Sequence, residues 1–224
     1  MNIIQKINLN VPFTFAKYGD GEYLCAIKRN GQNCDKTKYT HKLSQAIIAS
    51  YIYLAPLDNS FLGKWTDDNI VYKFFEKIIV PKWVDYSTFI WGTHAEFLDK
   101  MLILKSIKYA KQQKIYVCNE NLAEMAGLFN IDTIVKIHPS DWFENDYDLI
   151  LKQIMEKVIN TDSIIIMTSA GMGAKPLLSD LRKIYKNSIL LDIGSAFDIF
   201  TYKVTRSYNM NISRKEVDDI IIYL

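Results

Sequence analysis

The second half of the chain constrains the fold most. Four short, almost wholly apolar runs, at residues 115–118, 133–137, 163–168 and 188–192, alternate with longer stretches at 120–128, 147–160 and 174–185. In the longer stretches the apolar residues recur at the spacing of one helix face. Short runs that are apolar throughout belong to strands covered on both sides, and strands separated by helices pair in parallel. With right-handed crossovers, this gives a Rossmann-like α/β fold with a mostly parallel sheet and helices on both faces. Such sheets bind ligands beyond the carboxyl ends of their strands. The polar residues that follow each run are therefore the candidates for a site: Asn119, Glu120 and Asn121, then residues 138–143, 169–175 and 192–198.

The first half is less regular. An apolar element at residues 12–17 runs into Tyr18-Gly19-Asp20-Gly21-Glu22, and a helix through Leu24 and Ile27 would carry the acids in its first turn. Amphipathic helices are expected over 42–54 and 69–80, the second capped by Asp67 or Asp68. A short strand is expected over 88–91, and one or two helices over 95–113. Ser213 and Glu216 form a capping box for a final helix, suited to packing or self-association, so a homodimer is left open.

The 224 residues show no internal repeat and no linker, which points to one domain over 1–224. Hydrophobic residues make up 49%, enough for a core without disulfides or structural metal. A net charge of +2 gives no ground for binding nucleic acid or a charged membrane surface. No apolar run is long enough to span a bilayer, and the N-terminus lacks the pattern of a signal peptide. The cysteines, Cys25, Cys34 and Cys118, form no CxxC pair, so a reducing, cytoplasmic compartment is expected.

Three segments carry candidate chemistry. In Asp20-Gly21-Glu22, two carboxylates flank a glycine and can converge on a hard cation such as Mn2+ or Mg2+. The competing reading is a turn in which Asp20 caps the following helix. The second segment is Ser169-Ala170-Gly171-Met172-Gly173-Ala174-Lys175, set between a strand and a helix. Its glycines and free N–H groups suit a phosphate, with Lys175 adding charge. It is neither a Walker A loop nor a full GxGxxG, and a plain strand-to-helix turn explains it equally. In the third, Asp192 ends a buried strand, where its carboxylate needs a partner. Asp198 is a candidate general base, or simply a solvated helix residue. His41, His94 and His138 show no metal-ligand spacing, and Lys105, Lys108, Lys111 and Lys114 read as a solvated helix face.

The order of these segments resembles the GT-D family of glycosyltransferases. That family carries an Arg/Lys-aromatic-Gly-Asp-Gly-Glu segment near its N-terminus, matched here by Lys17, Tyr18, Gly19, Asp20, Gly21 and Glu22. Ser140-Asp141-Trp142-Phe143, Ser169-Ala170-Gly171 and Leu191-Asp192-Ile193-Gly194 follow in order, so the resemblance covers roughly residues 13–198. It implies a nucleotide-diphosphate sugar donor, a UDP-sugar first, and a glycan or other hydroxyl acceptor. It implies a divalent cation at Asp20 and Glu22, and a donor pocket formed by Lys17, Tyr18, Gly19, residues 169–173, Lys175 and Asp192. Asp141 and Trp142 fall in a loop over that pocket; in a metal-assisted transfer of this kind Asp198 or Glu120 is the carboxylate expected to deprotonate the acceptor. On this reading Glu22→Ala abolishes transfer and leaves the thermal midpoint nearly unchanged. The chain departs from the family at Ser195, where His is common, at Lys17, where Arg is commoner, and in the glycine loop, which commonly reads Gly-Pro-Thr-Ala. A Rossmann-like transferase using S-adenosylmethionine and a non-catalytic relative are the alternatives.

Overall fold

A computed structural model describes residues 1–30, 39–65, 69–89, 96–159, 163–202 and 212–224. Helix α1 (Ile3–Asn8) precedes strand β1 (Phe13–Lys17), helix α2 (Asp20–Ala26) and helix α3 (His41–Leu54). Strand β2 (Ser60–Lys64), helix α4 (Asn69–Glu76), strand β3 (Trp83–Asp85) and helix α5 (Phe97–Tyr109) complete the first half. The second half holds β4 (Gln113–Cys118), α6 (Met125–Leu128), β5 (Thr133–Lys136), α7 (Trp142–Asn145), α8 (Tyr147–Lys157), β6 (Ile164–Ser169), α9 (Ala174–Ile184), β7 (Ile189–Asp192) and α10 (Arg214–Tyr223).

The strands form one sheet in the order β3-β2-β1-β7-β6-β4-β5, every pair parallel. Alternate residues of each strand feed two cores. Ala16, Ile115, Val117, Ile164, Ile166 and Leu190 face one cluster with α2, α3, α4, α8 and α9. Phe13, Phe15, Tyr116, Cys118, Ile165, Met167, Ile189 and Leu191 face the other with α1, α5, α6 and α10. Crossovers toward β3 lie on the first face and those toward β5 on the second, as a single handedness requires. The chain leaves β1 over the first face and β7 over the second. The loops that leave those neighbouring strands therefore diverge beyond their carboxyl ends, and the crevice position of such a sheet, where ligands usually bind, falls there.

The strands at 115–118, 133–137, 163–168 and 188–192 form within a residue or two of expectation, and the capping box of α10 is made, with Ser213 N–H donating to Glu216 Oε2 at 2.7 Å. Three expectations are corrected. The strand expected from residue 88 begins as a 3-10 turn, Ser87–Phe89, and Trp91, like His94, lies outside the described residues. The helix expected over 120–128 splits into a 3-10 turn, Glu120–Leu122, and α6, because Asn119 caps the turn by accepting from Asn121 N–H. Strands β2 and β3 were not anticipated. Asp67 and Asp68, the caps expected for α4, are outside the described residues, as is Cys34.

Helix α9 is tied down at its far end by Arg182. This buried guanidinium donates to Thr14 Oγ1 at 2.6 Å, to Lys186 O at 2.8 Å and to Ser188 O at 2.7 Å. Burial pushes its pKa down to about 10, and the carbonyl oxygens are what make a buried cation tolerable there.

Candidate functional site

Three loops meet at the crevice, from the ends of β1, β6 and β7. At the end of β1, the side chain of Tyr18 turns away from it. Tyr18 is fully buried, hydrogen-bonded with Ser50 Oγ at 2.9 Å, and edge-on to the rings of Tyr51 and Phe75. Burial raises its phenol well above the ordinary range. The side chain of Tyr18, expected to line a donor pocket, is instead packed in the core and anchors the loop.

Gly19 follows in an extended conformation at the N-cap of α2 and has no side chain to cap it. Glu22 does so instead, its Oε2 accepting from Gly19 N–H at 2.8 Å. Asp20 and Glu22 are thus both in the first turn of a helix. Two residues apart on a helix means about 200° apart around its axis, so the pair does not share a face. Asp20 is exposed and Glu22 is buried. The negative charge of Asp20 is favoured at a helix start.

The free end of Glu22 reaches the second loop. Its Oε1 lies 2.6 Å from Lys175 Nζ, and the same ammonium is 2.9 Å from Asp192 Oδ2 and donates to Gly171 O at 3.2 Å. Lys175 is only 4% exposed. Burial alone would lower its pKa, but the carboxylates of Asp192 and Glu22 outweigh that and raise it. Asp192 is fully engaged as well. Its Oδ2 also accepts from Lys17 N–H, and its Oδ1 from Gly194 N–H, each at 3.2 Å.

The glycine loop is shaped by its neighbours. Gly171 takes a φ of +58°, a region costly for most residues. A Cβ on Gly173 would stand 2.5 Å from Trp142 Cζ2, so the indole is seated directly on that glycine. Trp142 Nε1–H donates to Ala170 O at 3.2 Å. Asp141 precedes it in the left-handed region and is exposed. Met172 meets the start of α2, its Sδ 3.6 Å from where a Cβ on Gly21 would lie. Ser169 accepts from Tyr116 O–H at 2.8 Å and donates to Gly194 O. The ammonium of Lys17 lies over Gly194, where a Cβ would be 1.8 Å away, and 5.6 Å from the Tyr86 ring centre.

The structure therefore brings Lys17, Gly19, Glu22, the 169–173 loop, Lys175 and Asp192 together, with Trp142 behind the loop. Asp198 is buried at the start of a 3-10 turn, Asp198–Thr201, and its charge falls on Tyr116, whose hydroxyl bonds Ser169 of the same loop. Glu120 pairs with Lys136 at 2.8 Å. Sequence reasoning gave Lys175 to a phosphate and missed its two carboxylate partners. A lone lysine in the apolar first turn of a helix was the available signal. Among the described residues no group of three or more His, Cys, Asp or Glu is placed to hold a metal ion. Glu22 has one oxygen on a backbone N–H and the other on an ammonium, so with Lys175 in place it does not fit as a Mn2+ or Mg2+ ligand.

No protein-family model matches the chain, and no curated protein does. Solved structures do. One belongs to work describing the highly conserved domain of unknown function 1792 as a distinct glycosyltransferase fold. It is 16% identical, with a TM-score of 0.65 over 96% of this chain and 90% of its own. A selenomethionine-substituted structure of domain of unknown function 1792 aligns at 15% identity and a TM-score of 0.64, over 96% and 90%. A glycosyltransferase of the same domain type from Streptococcus sanguinis aligns at 17% identity and 0.62, over 98% and 96%. The all-parallel seven-stranded sheet, matched over nearly its whole length, is therefore the fold described for domain of unknown function 1792, a distinct glycosyltransferase fold.

Proposed function

We propose that the chain is a glycosyltransferase that takes a sugar from a nucleotide-diphosphate sugar and passes it to a hydroxyl group of a glycan or other acceptor. The observation that carries this reading is the convergence of three loops on the crevice between β1 and β7, in a fold shared with glycosyltransferases. The donor diphosphate is assigned to the turn Gly171–Gly173 and the start of α9. Backbone N–H groups and the positive end of the helix favour an anion there. Lys17, above Gly194, supplies a positive charge on the same side. The leaving nucleoside diphosphate gains negative charge as the glycosidic bond breaks, so a fixed cation stabilises the transition state more than the ground state. Asp20, exposed on the first turn of α2, is the carboxylate assigned to the acceptor.

A donor-hydrolysis screen over nucleotide sugars, UDP-sugars first, tests this reading. A thermal-shift panel accompanies it. Stabilisation by a nucleoside diphosphate supports the assignment, because a ligand that binds only the folded state raises the midpoint. Stabilisation by S-adenosylhomocysteine, with no response to any nucleoside diphosphate, would replace it with the methyl-donor alternative.

A further inference from the structure

We propose that Lys175 is the resident cation of the crevice: its ammonium takes the position between Glu22 and Asp192 that a divalent ion would take, and excludes such an ion from it. What the crevice binds rests on the glycosyltransferase reading; the occupancy of this position does not.

The coordination of the ammonium is complete. A lysine ammonium has three N–H groups. Three oxygens surround this one: Glu22 Oε1 at 2.6 Å, Asp192 Oδ2 at 2.9 Å and Gly171 O at 3.2 Å. The set is all oxygen and carries two negative charges, the kind of cage a hard cation prefers. Each of the three loops supplies one member: Glu22 follows β1, Gly171 follows β6 and Asp192 ends β7. The distances suit N–H···O bonds. Mg2+ would need oxygens at about 2.1 Å in octahedral array.

Nor can the ammonium step aside easily. Lys175 is the second residue of α9 and is 4% exposed, so its ammonium is held away from water. A divalent ion entering the cage would meet a like charge at close range in a low-dielectric surround. The remaining oxygens of the pair are committed: Glu22 Oε2 to Gly19 N–H and Asp192 Oδ1 to Gly194 N–H. Lys175 is thus a positioning residue. It pairs with two buried carboxylates at once and holds three loops at one separation without consuming a metal ion.

The test is a Mn2+ titration of the full chain, read by the electron paramagnetic resonance signal of free Mn2+ and, in parallel, by the thermal midpoint. Wild type, Glu22→Gln, Lys175→Met, and Lys175→Met combined with Glu22→Gln are compared. The wild-type protein is expected to take up no Mn2+ that depends on Glu22. Lys175→Met, with the ammonium gone and the dicarboxylate open, is expected to bind Mn2+ about tenfold more tightly or better. The double variant loses that gain. A purely structural lysine would not create a metal site on removal. A Mn2+ site in the wild type that Glu22→Gln abolishes would overturn the proposal, as would a folded Lys175→Met that binds no Mn2+. If Lys175→Met does not fold, the comparison of wild type with Glu22→Gln decides alone. A nucleoside diphosphate added with EDTA forms a separate arm: no thermal shift there or with Mn2+ counts against the glycosyltransferase reading and leaves the titration result standing.

Discussion

Replacing Glu22 by alanine should cost the protein much of its stability as well as any activity. A carboxylate on the open rim of a crevice would be lost at little thermal cost, as the sequence suggests. Glu22 is instead 7% exposed, 2.6 Å from Lys175 and bonded to Gly19 N–H. Removing one partner of a buried ion pair costs about 3–5 kcal/mol, because the other charge stays buried. Asp192 remains to neutralise Lys175, so the lower end, about 3 kcal/mol, applies. Unfolding entropy near 2.1 cal/mol/K per residue gives about 0.47 kcal/mol/K for 224 residues, so the midpoint should fall by about 6 °C. Thermal unfolding followed by circular dichroism measures this, and Lys175→Met together with the Glu22→Ala/Lys175→Met double variant completes a cycle. The double variant should be less destabilised than the sum of the singles by at least about 1.5 kcal/mol. A Glu22→Ala midpoint within about 1 °C of wild type, in a protein with an unchanged spectrum, would refute the buried pair.

Three further outcomes follow from the same geometry. The pKa of Lys175 is raised on folding, so its contribution is intact below the unfolded value of about 10.4 and is lost as pH climbs through the higher folded value. Buried Tyr18 acts with the same sign, and the alkaline loss of stability should be smaller in Lys175→Met, measured by urea midpoints across that pH range. Gly173→Ala should displace the Trp142 indole, since its Cβ would lie 2.5 Å from the ring. We expect about 1–3 kcal/mol of destabilisation and a red-shifted Trp142 emission, read in a protein whose other tryptophans are replaced by phenylalanine. Finally, burial raises the thiols of Cys25 and Cys118 to about 11 and about 12. Native alkylation near neutral pH, followed by mass spectrometry, should therefore leave both unmodified until the chain is unfolded.

Much of the fold was legible because the strands buried on both faces are written without interruption. Residues 163–168 allow no alternative to an interior strand, and β6 forms there as Ile164–Ser169. Strand β2 escaped notice because Ser60, Gly63 and Lys64 leave it two large apolar residues, and β3 because it is three residues long. The positions of the candidate site were legible too, since a parallel sheet collects its loops at one edge. The roles of the residues within it were less so. Asp20 and Glu22 read as convergent on a cation, and the helix expected to carry both in its first turn does start at Asp20, but its period sends them to different sides. Lys175 was visible as a charge near a glycine turn. Its partners lie on two other loops, and only the strand order β1-β7-β6 brings them within reach.

The two tethers of α9 have a mechanical consequence. Lys175 and Arg182 are seven residues apart, two turns of helix, and so point the same way. One grips the loops above the sheet, and the other grips Thr14 and the entry to β7. A rod pinned at both ends neither slides along its axis nor rolls. Because Lys175 also holds Glu22 in the first turn of α2, that turn and α9 can move apart only by breaking the 2.6 Å pair between them.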